Sequence, residues 1–483
     1  MNRRMVFYML GKIIFVEALL LTLPFAVSLI YKESCAWSFL ITIGIALAVG
    51  LILTVLSKPS TRLIYAKEGF VLVAIAWILM SLIGALPFTI SGEIPNYIDA
   101  IFETVSGFTT TGASILTNVE ALSHGTLFWR SFTHWVGGMG VLVFVMALVP
   151  SLCDRSIHIL RAEVPGPVVG KLVPKIKQTA KILYLIYIAL TLVQVILLWC
   201  GDMNLFESLI HSFGTAGTGG FSSKADSIAG YSAYSQWVIT IFMLVFGLNF
   251  NIFFFILIKR VKSVLKNEEM WVYFGIVVVS IAIVTANTAP IYETFAEALR
   301  HSAFQVASII STTGYATADY TLWPQLIKTL LIILMMIGSC AGSTAGGLKV
   351  SRVVMLFKQT KKELLHMLHP RSVSTVKIDG KKVDSATLHS VCVYFAVYMV
   401  VLFLVFLLLS LETSFSFESN LSATIACFNN IGPGLGAVGP VGSYAAYSPF
   451  SKILLSFAML FGRLEIYPIL FALTPSTWTK KIR

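Results

Sequence analysis

The sequence predicts an all-α membrane protein in which one unit (apolar span, short helix, glycine-bearing loop, second span) occurs four times around one pore, preceded by one extra pair of transmembrane helices. Two observations predict it. The chain of 483 residues is 57% hydrophobic and 12% charged, with a mean hydropathy of +0.84; soluble domains carry roughly a quarter charged residues. A soluble fold could not hide this much apolar surface, so the solvent is lipid. The second observation is a Gly/Thr/Asn-rich turn that recurs four times, roughly a hundred residues apart, always between two apolar runs.

The spans come first. Apolar segments long enough to cross ~30 Å of hydrocarbon fall near 7–31, 36–57, 68–91, 126–150, 179–200, 236–258, 270–290, 325–347, 387–410 and 450–474. The net charge is +12, from 35 Lys and Arg against 23 Asp and Glu, and its distribution argues against a nucleic-acid surface. Basic residues gather in alternate connections: Lys58, Arg62 and Lys67; Arg155 to Lys181; Lys259, Arg260, Lys262 and Lys266; Lys349 to Lys382; Lys480, Lys481 and Arg483. The connections between these are acidic or neutral, with Glu93, Asp99, Glu103, Glu120, Asp202 and Glu207. That alternation is the positive-inside pattern, which puts the basic stretches and both termini in the cytoplasm. The start, Met1-Asn2-Arg3-Arg4, runs into a long apolar segment without a small-residue cleavage site and reads as an uncleaved first span. Cys35, Cys153, Cys200, Cys340, Cys392 and Cys427 are scattered with no Cys-x-x-Cys spacing, so neither a disulfide framework nor a zinc site follows.

The four turns lie on the acidic, outer side: Thr110-Thr111-Gly112, Thr218-Gly219-Gly220, Thr312-Thr313-Gly314 and Asn430-Ile431-Gly432. Each follows a stretch too short and polar to cross the bilayer. Three of those stretches begin alike, at Phe102-Glu103, Phe206-Glu207 and Phe417-Glu418, and the other has Phe295-Ala296-Glu297. A carboxylate in the first turn suits the positive end of a helix dipole. A dehydrated monovalent cation needs several oxygens in place of water, and a ring of backbone carbonyls supplies them without fixed charge. Aiming consecutive carbonyls at one axis needs backbone conformations that Gly accepts and other residues resist. Such irregular backbone is tolerated at membrane depth only where protein buries it or where it lines a wet cavity. One such loop could be an extracellular turn; four, each after a short helix, favour a cation pore.

These loops, with the leading pair of spans, resemble the TrkH branch of the Trk/Ktr/HKT superfamily of potassium transporters; the KtrB branch lacks that pair. The resemblance covers nearly the whole chain. It implies pseudo-symmetric M1–P-loop–M2 repeats and a potassium selectivity filter made by the twelve loop residues just named, with potassium bound in the pore and no covalent cofactor. Laid on the sequence, the division is 1–60 for the leading pair, then 61–155, 156–266, 267–382 and 383–483 for the four pore repeats. The resemblance also implies a homodimer among membrane lipids in a bacterial plasma membrane. A cytosolic nucleotide-binding regulatory subunit of the TrkA type would dock on its basic face, and nucleic acid is not expected as a partner. Only Gly220-Phe221 and Gly314-Tyr315 keep an aromatic after the glycine.

Two further features suggest a gate. The span after Pro324 breaks at Gly338-Ser-Cys-Ala-Gly342-Ser343-Thr344-Ala-Gly346-Gly347, roughly 21 Å in at 1.5 Å per residue. Glycines this dense do not hold a helix, each costing about 1 kcal/mol against Ala. This reads as a loop obstructing the pore below the loops, or else as a cytoplasmic turn if the span starts earlier. Arg463 stands at matching depth after Pro449 in the last span, where a charge faces protein or water; it is either the loop's holder or a structural Arg on buried carbonyls. Glu465 is on a different face from Arg463. His134 reads as interfacial packing, and His366 and His369 as solvated. Gly342 to Lys349 is not a phosphate-binding loop, because Leu348 separates Gly347 from Lys349. No His-Glu-x-x-His or Gly-x-Ser-x-Gly motif is present, so an intramembrane enzyme is not expected. A sodium- or proton-coupled potassium symporter, or a sodium-selective member of the same scaffold, is the alternative.

Overall fold

The structure is a computed structural model describing residues 2–59, 66–140, 176–371 and 374–478. Cys153, Arg62, Lys480, Lys481, Arg483, the end of the segment predicted at 126–150 and most of the basic stretch Arg155–Lys181 lie outside the described residues. Among the described residues, six helices are long and apolar enough to cross a membrane: Arg3–Ile30 (turned at Leu21), Ala36–Leu56, Lys67–Ile90, Lys181–Trp199, Glu268–Thr288 and Ser385–Leu409. The leading pair shows how this fold packs. In Ala36–Leu56 the buried face is a stripe of small residues four apart, Ser38, Thr42, Ala46, Gly50 and Thr54, while Trp37, Leu51, Ile52 and Leu56 face outwards. Small residues let helix backbones approach closely where no hydrophobic effect drives association. The approach is closest at Gly11 and Gly50, where a Cβ on Gly11 would lie 2.8 Å from the Gly50 carbonyl oxygen.

Four short helices follow the long ones: Tyr97–Phe108, Leu205–Gly217, Phe295–Ile310 and Phe417–Phe428. Each is capped by a side-chain oxygen accepting from a first-turn amide, from Asn96, Asn204, Thr294 and Ser416 in turn. Such caps satisfy the orphan N–H groups of a helix start, and Asp99, Glu207, Glu297 and Glu418 add first-turn negative charge. The first helix corrects the expected start at Phe102. It begins at Tyr97, so Glu103 is buried in mid-helix instead of sitting at the dipole's positive end.

After each glycine turn comes a further helix, and none continues as one full span through the described residues. His124–Gly138, Ala233–Phe246, Gln325–Ile337 and Pro449–Arg463 stop after 15, 14, 13 and 15 residues. The expected break after Ile337 is present, and the structure adds two more. Ala233–Phe246 turns by 91° into Phe250–Leu257, and Pro449–Arg463 gives way to Tyr467–Leu473, so 236–258 and 450–474 are not single straight spans. A two-residue antiparallel hairpin, Lys377–Ile378 with Lys381–Lys382, departs from the all-helical expectation. Arg3 Nη2 donates to the Trp478 carbonyl (2.6 Å) and Lys67 Nζ to the Ser476 carbonyl (3.0 Å), which brings both ends of the described chain to one side.

Candidate functional site

The four glycine turns share one backbone. Gly112, Gly220, Gly314 and Gly432 have φ of +78°, +78°, +83° and +95°, and the residues two before them, Thr110, Thr218, Thr312 and Asn430, have +56°, +56°, +57° and +56°. The intervening Thr111, Gly219, Thr313 and Ile431 are outside the left-handed region. Alternation of this kind sends successive N–H groups to one side of the chain and successive carbonyls to the other. A residue with a Cβ held left-handed costs roughly 1–2 kcal/mol, so the same exception made four times is strain kept by its surroundings.

The turns also meet in cyclic order. A Cβ on Gly112 would lie 2.0 Å from the Gly219 carbonyl oxygen, on Gly220 2.0 Å from that of Thr313, on Gly314 1.9 Å from that of Ile431, and on Gly432 2.6 Å from that of Thr111. Every turn therefore abuts the next, and the fourth closes on the first. All four glycines line one cavity of about 190 Å³. Backbone carbonyls gathered around one axis can replace part of the water shell of a monovalent cation.

Side chains behind the turns tie neighbours together. Asn430 Nδ2 donates to Thr111 Oγ1 (3.0 Å) and to the Met459 carbonyl (2.9 Å), and Tyr444 Oη donates to the Gly432 carbonyl (2.8 Å) while its amide donates to the Ser114 carbonyl (2.9 Å). Tyr315 Oη donates to the Phe221 carbonyl (3.1 Å). His134 is buried rather than interfacial: Nδ1 donates to the Gly107 carbonyl (2.8 Å), so Nε2 accepts from the Phe221 amide (3.3 Å). Arg130 joins the first and second turns. Its Nε donates to Glu103 Oε1 (2.6 Å), Nη1 donates to the Ser222 carbonyl (3.0 Å), and the guanidinium covers the Phe221 ring at 3.5 Å. Glu103 in turn accepts from Ser114 Oγ (2.9 Å) and the Ile115 amide (3.0 Å). Sequence reading missed this pair, because no local spacing links residues 27 apart across a short helix and its loop.

The glycine-rich break lies directly beneath the ring. Gly338, Gly342 and Gly347 have φ of +69°, +70° and +76°. The Gly346 amide donates to Thr312 Oγ1 (2.7 Å), and a Cβ on Gly346 would lie 2.3 Å from the Asn429 carbonyl oxygen, so the segment touches the third and fourth turns. Ser343 Oγ donates inside the loop to the Cys340 carbonyl (2.7 Å). Arg463 reaches this segment: Nη1 donates to the Thr344 carbonyl (2.6 Å), and Nη2 donates to the Gly137 (2.5 Å) and Gly138 (2.6 Å) carbonyls. Glu465 pairs instead with Arg352 Nη2 (2.5 Å). The unforeseen bend at Gly247–Asn249 is fastened to the same segment, since the Cys340 amide donates to the Gly247 carbonyl and the Phe250 amide to the Gly342 carbonyl, both at 3.1 Å. The helix that follows, Val350–Leu368, carries His366 exposed near its end and is followed by the equally exposed His369.

Comparison with known proteins agrees with this architecture. A family profile described as TrkH, cation transport protein, matches residues 37–480. The Trk system potassium uptake protein TrkH of Salmonella typhimurium is 36% identical over 99% of this chain and 100% of its own. That of Escherichia coli K12 is 35% identical over the same shares. The crystal structure of the potassium transporter TrkH from Vibrio parahaemolyticus superposes with a TM-score of 0.89 at 30% identity, covering 99% of this chain and 100% of that one. With a family profile matched over most of its length and relatives aligned from end to end, the chain belongs to the TrkH family of cation transport proteins.

Proposed function

We propose that this protein takes up potassium across a bacterial plasma membrane through the ring of four glycine turns. The observation that carries the reading is the cyclic closure of four equivalent backbones, Gly112 on Gly219, Gly220 on Thr313, Gly314 on Ile431 and Gly432 on Thr111. Each pore repeat (61–155, 156–266, 267–382 and 383–483, after the leading pair 1–60) supplies one M1–P-loop–M2 unit. Thr110 to Gly112, Thr218 to Gly220, Thr312 to Gly314 and Asn430 to Gly432 act as the filter. The names of the relatives, potassium uptake proteins of a Trk system, support the choice of ion. The experiment is flux in liposomes at a clamped voltage. Rubidium influx well above sodium and lithium influx is expected; equal rates for all three would contradict the reading.

The same proposal makes residues 338–347 the gate and Arg463 its holder. The guanidinium's contacts to the Thr344, Gly137 and Gly138 carbonyls support this, because they span from the first repeat to the loop beneath the ring. A permanent charge with five donors also opposes a cation in the passage. Opening requires the loop to leave. A homodimer carrying a cytosolic nucleotide-binding subunit of the TrkA type could drive that by pulling on Val350–Leu368, whose surroundings expose Lys361, Arg371, Lys377, Lys381 and Lys382. Recovery of such a subunit from native membranes in gentle detergent and low salt is the expected result; recovery of the transporter chain alone counts against it.

A further inference from the structure

The loop beneath the ring is gripped at a second point by a residue that neither the filter nor the arginine accounts for. Glu269 stands in the first turn of Glu268–Thr288, the long helix that opens the third repeat, and its side chain is buried. One oxygen, Oε1, accepts from two backbone amides ten residues apart: Ala341, inside the loop (2.7 Å), and Ser351, in the first turn of the helix that resumes after it (3.1 Å). A buried carboxylate needs such donors to offset its desolvation, and the start of a helix is where unpaired amides and positive dipole are available. The loop is thus held through complementary groups: Arg463 donates to a carbonyl at Thr344, and Glu269 accepts from an amide at Ala341.

The backbone between the two amides that Glu269 holds, Ala341 and Ser351, is strained. Lys349, at the junction of loop and helix, has φ +81° although it carries a Cβ. Its buried ammonium donates to the Ala345 carbonyl, within the loop itself. A non-glycine residue persists there only when its surroundings over-determine it, and the Ser351 amide held by Glu269 is two residues away. The neighbouring Glu268 pairs with Lys358 Nζ (2.5 Å), so consecutive carboxylates fasten the start of Val350–Leu368 and its third turn to the same helix.

We propose that Glu269 is the closed-state latch of the loop: a positioning residue that pins the loop and the resuming helix together on the third repeat until a pull on Val350–Leu368 withdraws the Ser351 amide. The proposal rests on the reading of residues 338–347 as the gate. The test is basal rubidium influx into liposomes by the full chain, with no regulatory partner added, for variants matched in reconstituted amount and monodispersity. Glu269→Ala should raise basal influx several-fold. Glu269→Gln keeps an acceptor oxygen on the same stem and should stay near the parent; Glu269→Asp keeps the charge but falls short of both amides and should leak, which decides the matter if the Ala variant does not fold. Influx at the parent level in Ala and Asp, or a Gln variant as leaky as Ala, overturns the latch. Deletion of 342–346 in parallel separates the two ideas. If the deletion leaks while Glu269→Ala does not, the gate stands and the latch falls; if the deletion does not leak either, both fall.

Discussion

The two halves of the proposed pathway, the ring and the region beneath it, are built on opposite plans. On the outer side four turns repeat one backbone, with paired left-handed residues at Thr110/Gly112, Thr218/Gly220, Thr312/Gly314 and Asn430/Gly432 and φ values agreeing within a few degrees at the first of each pair. On the inner side the four helices that leave those turns end at nearly the same length but each in its own way. One carries the Gly137 and Gly138 carbonyls that meet Arg463; one bends by 91°; one opens into a twelve-residue loop between Ile337 and Val350; one ends at Arg463 itself. Repetition suits a ring that must present equivalent oxygens to a symmetric ion. Divergence suits a barrier, which needs one element that moves and others that hold it.

Breaking the outer plan should have the largest effect. Gly314→Val puts a β-branched residue at φ +83° with its Cβ 1.9 Å from the Ile431 carbonyl oxygen, a conformation such residues essentially do not adopt. Rubidium influx should fall to background with the protein still inserted, and influx at the parent rate would remove Gly314 from the pathway. Next comes the brace behind the first two turns. Arg130→Met leaves Glu103 buried without its cation, a loss of about 3–5 kcal/mol for such a pair. Thermal unfolding in detergent should move down, and replacing Glu103 by Leu as well should recover part of the loss; a strictly additive pair would show that the two do not cooperate.

The inner plan should respond more mildly and in the other direction. Arg463→Ala removes charge-assisted hydrogen bonds worth ~1.5–3 kcal/mol, so basal influx without a regulator should rise about tenfold or more if they hold the closed loop. A folded variant no faster than the parent would make Arg463 structural. Gly247→Ala should give the smallest change. Its Cβ would sit 2.7 Å from Tyr273 Oη and 2.8 Å from Ser339 Oγ, two buried side-chain ends that donate to the Leu244 and Ile310 carbonyls, and displacing them should give a slight rise in basal influx. No change would show that the bend does not communicate with the loop.

This contrast also explains what could be read from sequence. The outer ring was legible because its determinant is local: a glycine at a fixed place in a short turn, after a capped short helix, repeated four times. The break at Gly338–Gly347 was legible for the same reason, and so was the depth of Arg463 beneath its span's start. The bend at Gly247 was not. A single glycine and two asparagines, Asn249 and Asn251, inside Gln236–Ile258 do not interrupt an apolar run, and the turn is set by hydrogen bonds to Cys340 and Gly342, which lie in the next repeat. Glu103 was misplaced because Phe-Glu resembles the starts at Phe206 and Phe417, whereas the cap that begins this helix is Asn96, five residues before Ile101. Glu269 left no mark in the sequence, since its partners are backbone amides that carry no signal in composition.

The central claim is that four equivalent glycines make one selective ring, and the four single Gly→Ser variants test it most directly. Each adds a Cβ against the neighbouring carbonyl that the ring presents, so rubidium-over-sodium selectivity, measured in liposomes at a clamped voltage, should fall in Gly112→Ser, Gly220→Ser and Gly314→Ser. It should fall in Gly432→Ser too, where a Cβ would meet the Thr111 carbonyl oxygen at 2.6 Å and the Gly112 carbonyl carbon at 2.7 Å. Selectivity equal to the parent in all four folded variants would contradict the account.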